Sequence, residues 1–122
     1  MALYKATFED FNGADGFLGS RKGVRVGHNT QVYRVDADTI AVRYHYTDIV
    51  TYRRDGSVVL DNGGWATNTT RERLRAFSPV GVYQAKGREF WTASRSSNPR
   101  EFTGRLVLSP SVVRTIKAGA SL

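Results

Sequence analysis

The feature that most constrains the fold is a pair of apolar runs separated by a glycine turn, in residues 40–60. Apolar and polar residues alternate along the first run, which places one set inward and the other outward on a half-buried strand. The expected inward set is Ile40, Val42, Tyr44 and Tyr46, and the outward set is Ala41, Arg43 and His45. This period of two predicts an antiparallel strand leading into a hairpin.

The turn at Arg54-Asp55-Gly56 allows two strand registers. A two-residue turn at Asp55-Gly56 would mix polar and apolar residues on both faces. A three-residue loop with Gly56 in the left-handed region would collect the apolar residues on one face. Because a slip of one residue would move that face to solvent, we predict the three-residue loop. The inward residues are then Val50, Tyr52, Val58 and Leu60, and the outward residues are Thr51, Arg53 and Ser57.

A Gly63-Gly64-Trp65 corner and a short helix follow this hairpin. The paired glycines indicate a backbone that bends tightly against the large ring. Thr69 and Glu72 have the spacing of a capping box, which predicts a helix that begins there and ends near Phe77.

The rest of the chain predicts short strands and one more helix. Glycine dipeptides indicate turns, and Ser109-Pro110 is typical of a helix start. The expected elements are a strand within residues 1–11, a glycine loop at 12–20, strands from 23 to 35, a hairpin at 82–92, a polar loop at 94–100, a strand at 102–108 and a helix at 109–119. Together they predict a single α+β domain over residues 1–122, mainly antiparallel, as a strongly bent sheet or small barrel of six to eight short strands with two short helices.

Composition limits the function classes. The 122 residues carry a formal charge of +7, and 14 of the 18 basic residues are arginine. Arginine suits bidentate phosphate recognition, although a GC-rich genome would enrich it equally well. The absence of cysteine excludes disulfides and thiolate chemistry. Neither a membrane-spanning run nor a signal peptide is evident, so we expect a soluble protein that is not exported.

Catalytic and metal-binding chemistry has no supporting motif. The two histidines are His28 and His45, and His45 lies three residues before Asp48. A serine or threonine activated by that pair would be needed for nucleophilic catalysis, whereas Asp48 as a turn cap and His45 as a surface residue explain the same spacing. Two histidines with scattered carboxylates match no metal-ligand spacing. We expect no catalytic residue, no metal, no cofactor and no enzymatic activity.

Two binding modes remain open. Arginines of the outward strand face and the helix, interleaved with aromatic rings, would suit single-stranded nucleic acid. If the tyrosines point inward, however, this face is merely basic and solvated. Exposed tryptophan and phenylalanine would instead suit a protein partner, although in a small domain they often belong to the core. The arginines concerned are Arg43, Arg53, Arg54, Arg71, Arg73 and Arg75, and the candidate protein-binding aromatics are Trp65, Trp91 and Phe90.

The stretch from residue 27 to 75 resembles a group of small bacteriophage and prophage proteins. The shared run is an Asn-Thr turn, His-x-Thr-Asp-Ile-Val-Thr, an Asp-Gly hairpin, Gly-Gly-Trp and Thr-Thr-Arg-x-Arg. The resemblance implies a viral origin and a host-cytoplasm setting, and it makes the polar members of the run candidate site residues. The predicted binding residues are Arg43, His45, Thr47, Asp48, Arg53, Trp65, Thr67, Thr70, Arg71 and Arg73.

We therefore predict a small basic phage accessory protein that acts by binding a macromolecule, with a host protein as partner in a takeover or modulation role. The alternatives are a nucleic-acid-binding protein that uses the arginine and aromatic face, and a structural component of the virion. No membrane partner is expected, and the oligomeric state stays open.

Overall fold

A computed structural model of the chain describes residues 3–93 and 98–119, which form two antiparallel sheets and three helices. In chain order the elements are α1 (Phe11–Leu18), β1 (Gly23–Gly27), β2 (Thr30–Asp36), β3 (Thr39–Tyr44), β4 (Thr47–Arg53), β5 (Val58–Asp61), α2 (Asn68–Ala76), β6 (Gly81–Ala85), β7 (Arg88–Thr92), β8 (Arg100–Glu101), β9 (Arg105–Leu108) and α3 (Pro110–Lys117). The larger sheet has the order β1-β2-β3-β4-β5-β9, and the smaller has the order β6-β7-β8.

The predicted antiparallel α+β class is confirmed. Every strand pair in both sheets is antiparallel. Within the described residues the large sheet stays open, with β1 and β9 at its edges, so the barrel alternative is wrong. The described part of the chain holds nine strands and three helices, because the prediction missed α1 and the two-residue strand β8.

The β4–β5 hairpin has the predicted three-residue loop. Val50 lies opposite Leu60 and Tyr52 opposite Val58, and all four side chains are buried. Gly56 has φ 101°, the left-handed conformation that the loop needs. Ser57 was expected outward but is buried, and its hydroxyl donates to the Asp55 carboxylate at 2.7 Å inside the turn.

The strand expected to run through Tyr46 ends at Tyr44. His45 and Tyr46 form a tight turn, in which His45 has φ 54° and Tyr46 is 97% exposed rather than inward. β4 then begins at Thr47 and pairs back onto β3. Alternation alone did not reveal this turn because neither residue is typical of a tight turn.

The helix α1 replaces the loop predicted at residues 12–20, and no strand is present in residues 3–10. The Asp10 side chain caps it by accepting from the Gly13 N–H at 2.9 Å. Its buried residues are Phe11, Ala14 and Leu18, which lie on one side at helical spacing. Gly13 serves packing rather than a turn, since a Cβ there would lie 3.0 Å from the Cβ of Phe8.

Among the later elements, the second hairpin and the last helix follow the prediction, whereas the strand expected at 102–108 is confined to Arg105–Leu108. The second hairpin, β6–β7, turns at Lys86-Gly87, and α3 begins after the Ser109 cap with Pro110 in its first turn. Lys117 near the end of α3 forms an ion pair with Asp10. Of the loop expected at residues 94–100, residues 94–97 lie outside the described part of the chain, and Arg100 begins β8.

Both sheets contribute to one cluster of buried apolar side chains. Ile40, Val50 and Leu74 belong to it together with Val82 and Trp91 of the smaller sheet. Tyr52 lies inside the cluster, where its hydroxyl donates to the Phe77 carbonyl, and burial raises its pKa well above the ordinary value. The helices thus cover one face of the large sheet.

Candidate binding cleft

The turn between β3 and β4 forms the first wall of a cleft at one end of the large sheet. The His45 N–H donates to the Asn29 carbonyl at 2.9 Å, which ties this turn to the neighbouring β1–β2 turn. The His45 ring lies 4.3 Å from the Tyr44 ring, centroid to centroid. These contacts hold His45 in place, while Tyr46 projects into solvent.

The Gly63-Gly64-Trp65 corner forms the second wall. The Asp61 and Asn62 side chains each accept a backbone N–H, from Gly63 and Gly64 respectively, at 2.8 Å. Gly63 has φ 62°, and a Cβ there would lie 2.7 Å from Cγ2 of Thr47, so both conformation and space require glycine. The indole of Trp65 is 64% exposed, so the backbone does not wrap the ring as expected.

The N-terminus of α2 closes the cleft. Thr67, and not Thr69, is the helix cap, because its hydroxyl accepts from the Thr70 N–H at 3.3 Å. The Thr67 hydroxyl also lies 3.0 Å from that of Thr70. Thr69 is thereby released to accept a hydrogen bond from the Tyr44 hydroxyl at 3.2 Å, which links the helix to β3.

The three walls enclose a volume of about 390 Å³. The lining contains aromatic rings, threonine hydroxyls and one amide, and no Asp, Glu, Lys or Arg side chain takes part in it. The lining residues are Tyr44, His45, Tyr46, Thr47, Ile49, Asn62, Trp65, Thr67, Thr69 and Thr70. The structure therefore brings together His45, Thr47, Trp65, Thr67 and Thr70 of the predicted binding residues.

The remaining predicted residues lie elsewhere. Arg43 and Asp48 pair on the outer face of the sheet, where Arg43 Nε donates to Asp48 at 2.9 Å and the Tyr33 hydroxyl donates to the same carboxylate at 2.6 Å. Arg53 is exposed at the opposite end of β4, across from Thr39. Both oxygens of Asp48 are thus engaged by Arg43 and Tyr33, and the described contacts of Asp48 do not include His45.

Arg71 points into the protein and not toward a ligand. It is 6% exposed, and its guanidinium donates to Glu89 at 2.9 Å, to Gln84 at 3.2 Å and to the Ala66 carbonyl at 3.2 Å. Asn62 donates to the other oxygen of Glu89 at 3.0 Å. This network fastens α2 and the Asn62 corner to the smaller sheet.

Arg73 is also buried, at 7% exposure. It donates to the Thr30 hydroxyl at 2.8 Å and to the His28 carbonyl at 3.1 Å, and its guanidinium carbon lies 3.9 Å from the centroid of the Tyr44 ring. The predicted continuous basic face of strands and helix is therefore not formed. Charged side chains enter the interior here because each guanidinium donates to three acceptors.

Tyr44, Tyr46, Asn62 and Thr69 line the cleft and were not predicted as site residues. The tight turn at His45 was the missing information, because it reverses the inward direction assigned to Tyr46. Within the described residues no group of acidic, histidine or cysteine side chains could hold a metal ion. None of the described helices has the length and apolarity needed to span a membrane.

The fold and the cleft define a small antiparallel α+β protein with an aromatic-rimmed pocket, free of Asp, Glu, Lys and Arg, at one sheet end. The chain belongs to the Kyanoviridae Gp96 protein family of phage proteins, whose family model matches residues 18–108. The match extends beyond residues 27–75 on both sides, and the phage origin inferred from the sequence is confirmed at this level. No curated protein and no solved structure gives a significant match to the chain.

Proposed function

We propose that this phage protein is a non-enzymatic accessory protein that binds a protein of the infected host through the cleft. The observation that carries the proposal is an aromatic-rimmed pocket that no Asp, Glu, Lys or Arg lines, on a chain whose net charge is +7. Tyr46 and Trp65 are the large exposed aromatics at this pocket. Aromatic residues that shield a small apolar pocket are the residues that dominate protein interfaces.

The lining chemistry favours a protein segment over a phosphate backbone. Threonine hydroxyls both donate and accept hydrogen bonds, which matches the amide groups of a peptide. The volume of about 390 Å³ is in the lower range of ligand pockets and accommodates one or two inserted side chains. A nucleic acid would need cations to neutralise its phosphates, and no Lys or Arg side chain lines the cleft.

The backbone at His45 supports the same surface. Holding a residue other than glycine in the left-handed region costs about 1–2 kcal/mol, and such strain concentrates at binding sites. The bond to Asn29, itself at φ 50°, keeps both turns in this conformation. The left-handed conformation of His45 thus directs the next residue, Tyr46, into solvent at the edge of the cleft.

Affinity capture from nuclease-treated host lysate, followed by titration with the purified partner, tests the proposal. We expect one host protein to be retained by the wild type and by Val35→Ala, which removes an exposed apolar side chain away from the cleft. Trp65→Ala and Tyr46→Ala should each weaken the purified complex by about 30-fold or more, the effect of losing an interface hot spot. Both side chains are exposed, so the fold is spared.

Three outcomes would contradict the proposal: no host protein retained, a partner equally bound by the Trp65→Ala and Tyr46→Ala variants, or retention from untreated lysate that is lost when the lysate is nuclease-treated. The last would indicate nucleic acid as the partner. Retention of a virion protein, in a parallel capture from a lysate of infected cells, would favour the structural alternative. A host-protein partner would also place the protein in the host cytoplasm, which fluorescence microscopy of tagged protein during infection would check.

A further inference from the structure

The β6–β7 hairpin presents two chemically different faces. Toward the interior it directs Val82 and Trp91 to the apolar cluster, and Gln84 and Glu89 to the guanidinium of Arg71. Because side chains alternate across a strand, the residues between them face outward. Tyr83 and Phe90, which are directly opposite each other in the register, therefore lie on the outer face.

Tyr83 and Phe90 form a flat aromatic surface there. Their ring centroids are 5.6 Å apart and the planes differ by 26°, a stacked arrangement, and Tyr83 is 38% exposed. The neighbouring positions on this face are small, with Gly81 on one side of Tyr83 and Ala85 on the other. The Tyr83 ring is thus accessible from solvent, and the Phe90 ring beside it is partly exposed.

Two cations adjoin this surface at the tip of the hairpin. Lys86 and Gly87 have φ 52° and 76°, the pair of positive values that a two-residue hairpin turn requires. Asparagine or glycine is favoured at the first position, so a lysine there is held against its local preference. Arg88 follows and is exposed, as is Glu101, the acidic residue that lies opposite Phe90.

We infer that this outer face is a binding site for single-stranded nucleic acid, with a base stacked on Tyr83 and phosphates held by Lys86 and Arg88. Stacking on an aromatic side chain needs no particular base, and cations beside it attract the backbone. Lys86 is three residues from Tyr83, about 10 Å along the strand, so both groups reach one short segment of a single strand. The inference does not depend on the cleft or on its proposed protein partner.

Fluorescence polarisation with a labelled oligothymidylate and with a duplex of equal length tests this site. We expect the wild type to bind the single strand more tightly, with affinity falling as salt increases. Tyr83→Ala should weaken binding by about tenfold, the effect of one lost stacked base. Lys86→Asn should reduce the slope of log affinity against log salt by about one, the contribution of one phosphate contact.

The melting temperature of Lys86→Asn is a second readout. If Lys86 acted only in folding, weaker binding would be accompanied by a lower melting temperature. Asparagine tolerates positive φ, so the variant should melt at an equal or higher temperature while it binds more weakly. Lys22→Asn is the matched control, since it removes the same charge from an exposed position just before β1. Trp65→Ala is the control for the cleft, and both controls should bind the single strand as the wild type does.

The inference is overturned by an absence of binding at about 50 mM salt, where phosphate contacts are strong. Duplex binding as tight as that of the single strand would overturn it as well. So would a loss for Lys22→Asn equal to that for Lys86→Asn, which would indicate general charge attraction, or a loss for Trp65→Ala, which would move the site to the cleft.

Discussion

Two arginine–carboxylate pairs with similar bonding occupy opposite environments in this molecule. Arg71 binds Glu89 between α2 and the smaller sheet, with Gln84 as a neutral second partner. Arg43 binds Asp48 on the outer face of the large sheet, and its second, neutral partner is the Tyr33 hydroxyl. Both members of the first pair are buried, while the side chains of the second are 44% and 33% exposed.

The difference teaches that a basic composition does not by itself make a binding surface. Removing one member of a buried pair leaves the other charge without solvent or partner, whereas water replaces a lost partner at the surface. We therefore expect Arg71 to act in folding, and Arg43 to be nearly neutral for stability. The following experiments test this contrast, from the largest expected effect to the smallest.

Arg71→Ala should lower the free energy of unfolding by about 3–5 kcal/mol, because it leaves Glu89 charged and buried. Urea denaturation followed by circular dichroism measures the loss. Arg53→Ala, which removes an arginine from the exposed end of β4, is the control and should change stability by less than about 0.5 kcal/mol. Equal effects of the two variants would show that burial of the Arg71 pair is not decisive.

Arg73→Lys should lower the free energy of unfolding by about 1.5–3 kcal/mol. The charge is kept, but an ammonium cannot reproduce the planar contact with Tyr44 or donate to Thr30 and His28 in the same directions. Thermal unfolding by calorimetry would measure the change. If lysine were tolerated without loss, then charge alone, and not the guanidinium geometry, would account for the residue.

Arg43→Ala should lower the free energy of unfolding by less than about 1 kcal/mol, since the pair with Asp48 is solvent-exposed. The same urea denaturation applies, and added salt should diminish the effect further. A loss as large as that of Arg71→Ala would abolish the contrast between the two pairs.

The smallest expected effect is on the titration of Tyr33. Burial and the hydrogen bond to Asp48 raise the pKa of its hydroxyl above the ordinary value. The folded state therefore holds this proton more tightly than the unfolded chain does. The contribution to stability is fully present below about pH 10 and is lost as the pH rises through the folded-state pKa.

Subtracting the tyrosinate absorbance titration of Tyr33→Phe from that of the wild type isolates this group. Asp48→Asn should shift the midpoint of the isolated curve downward, because the carboxylate that accepts the hydrogen bond has lost its charge. An unchanged midpoint would show that Asp48 does not influence Tyr33.

The parts of the fold that were predictable are those specified by neighbouring residues. Gly56 and the alternation around it determine the β4–β5 register, and Ser109-Pro110 determines the start of α3. The helix α1 was missed because Gly13 reads locally as a turn, whereas its role is to let Phe8 approach closely. That contact lies outside the helix, and helix propensity gives no sign of it.

The cleft was predictable only in part, because contacts between residues that are distant in the sequence also determine its lining. His45, Thr47, Trp65, Thr67 and Thr70 were selected from the polar run, and the structure gathers them around one pocket. Arg71 belongs to the same run, but its acceptor Glu89 lies 18 residues further along the chain. Local periodicity therefore assigned an exposed face to a side chain whose partner only the folded chain supplies.

The segment from residue 100 to 108 crosses from one sheet to the other, since it contains β8 and β9. Its Phe102 N–H donates to the Glu89 carbonyl of β7, and its Gly104 carbonyl accepts from the Asn62 N–H beside β5, both at 2.9 Å. One short backbone segment thus forms hydrogen bonds to both sheets. We expect amide hydrogens in β5 and β7 to exchange with solvent at the same opening free energy, so that the two sheets unfold cooperatively as one foldon.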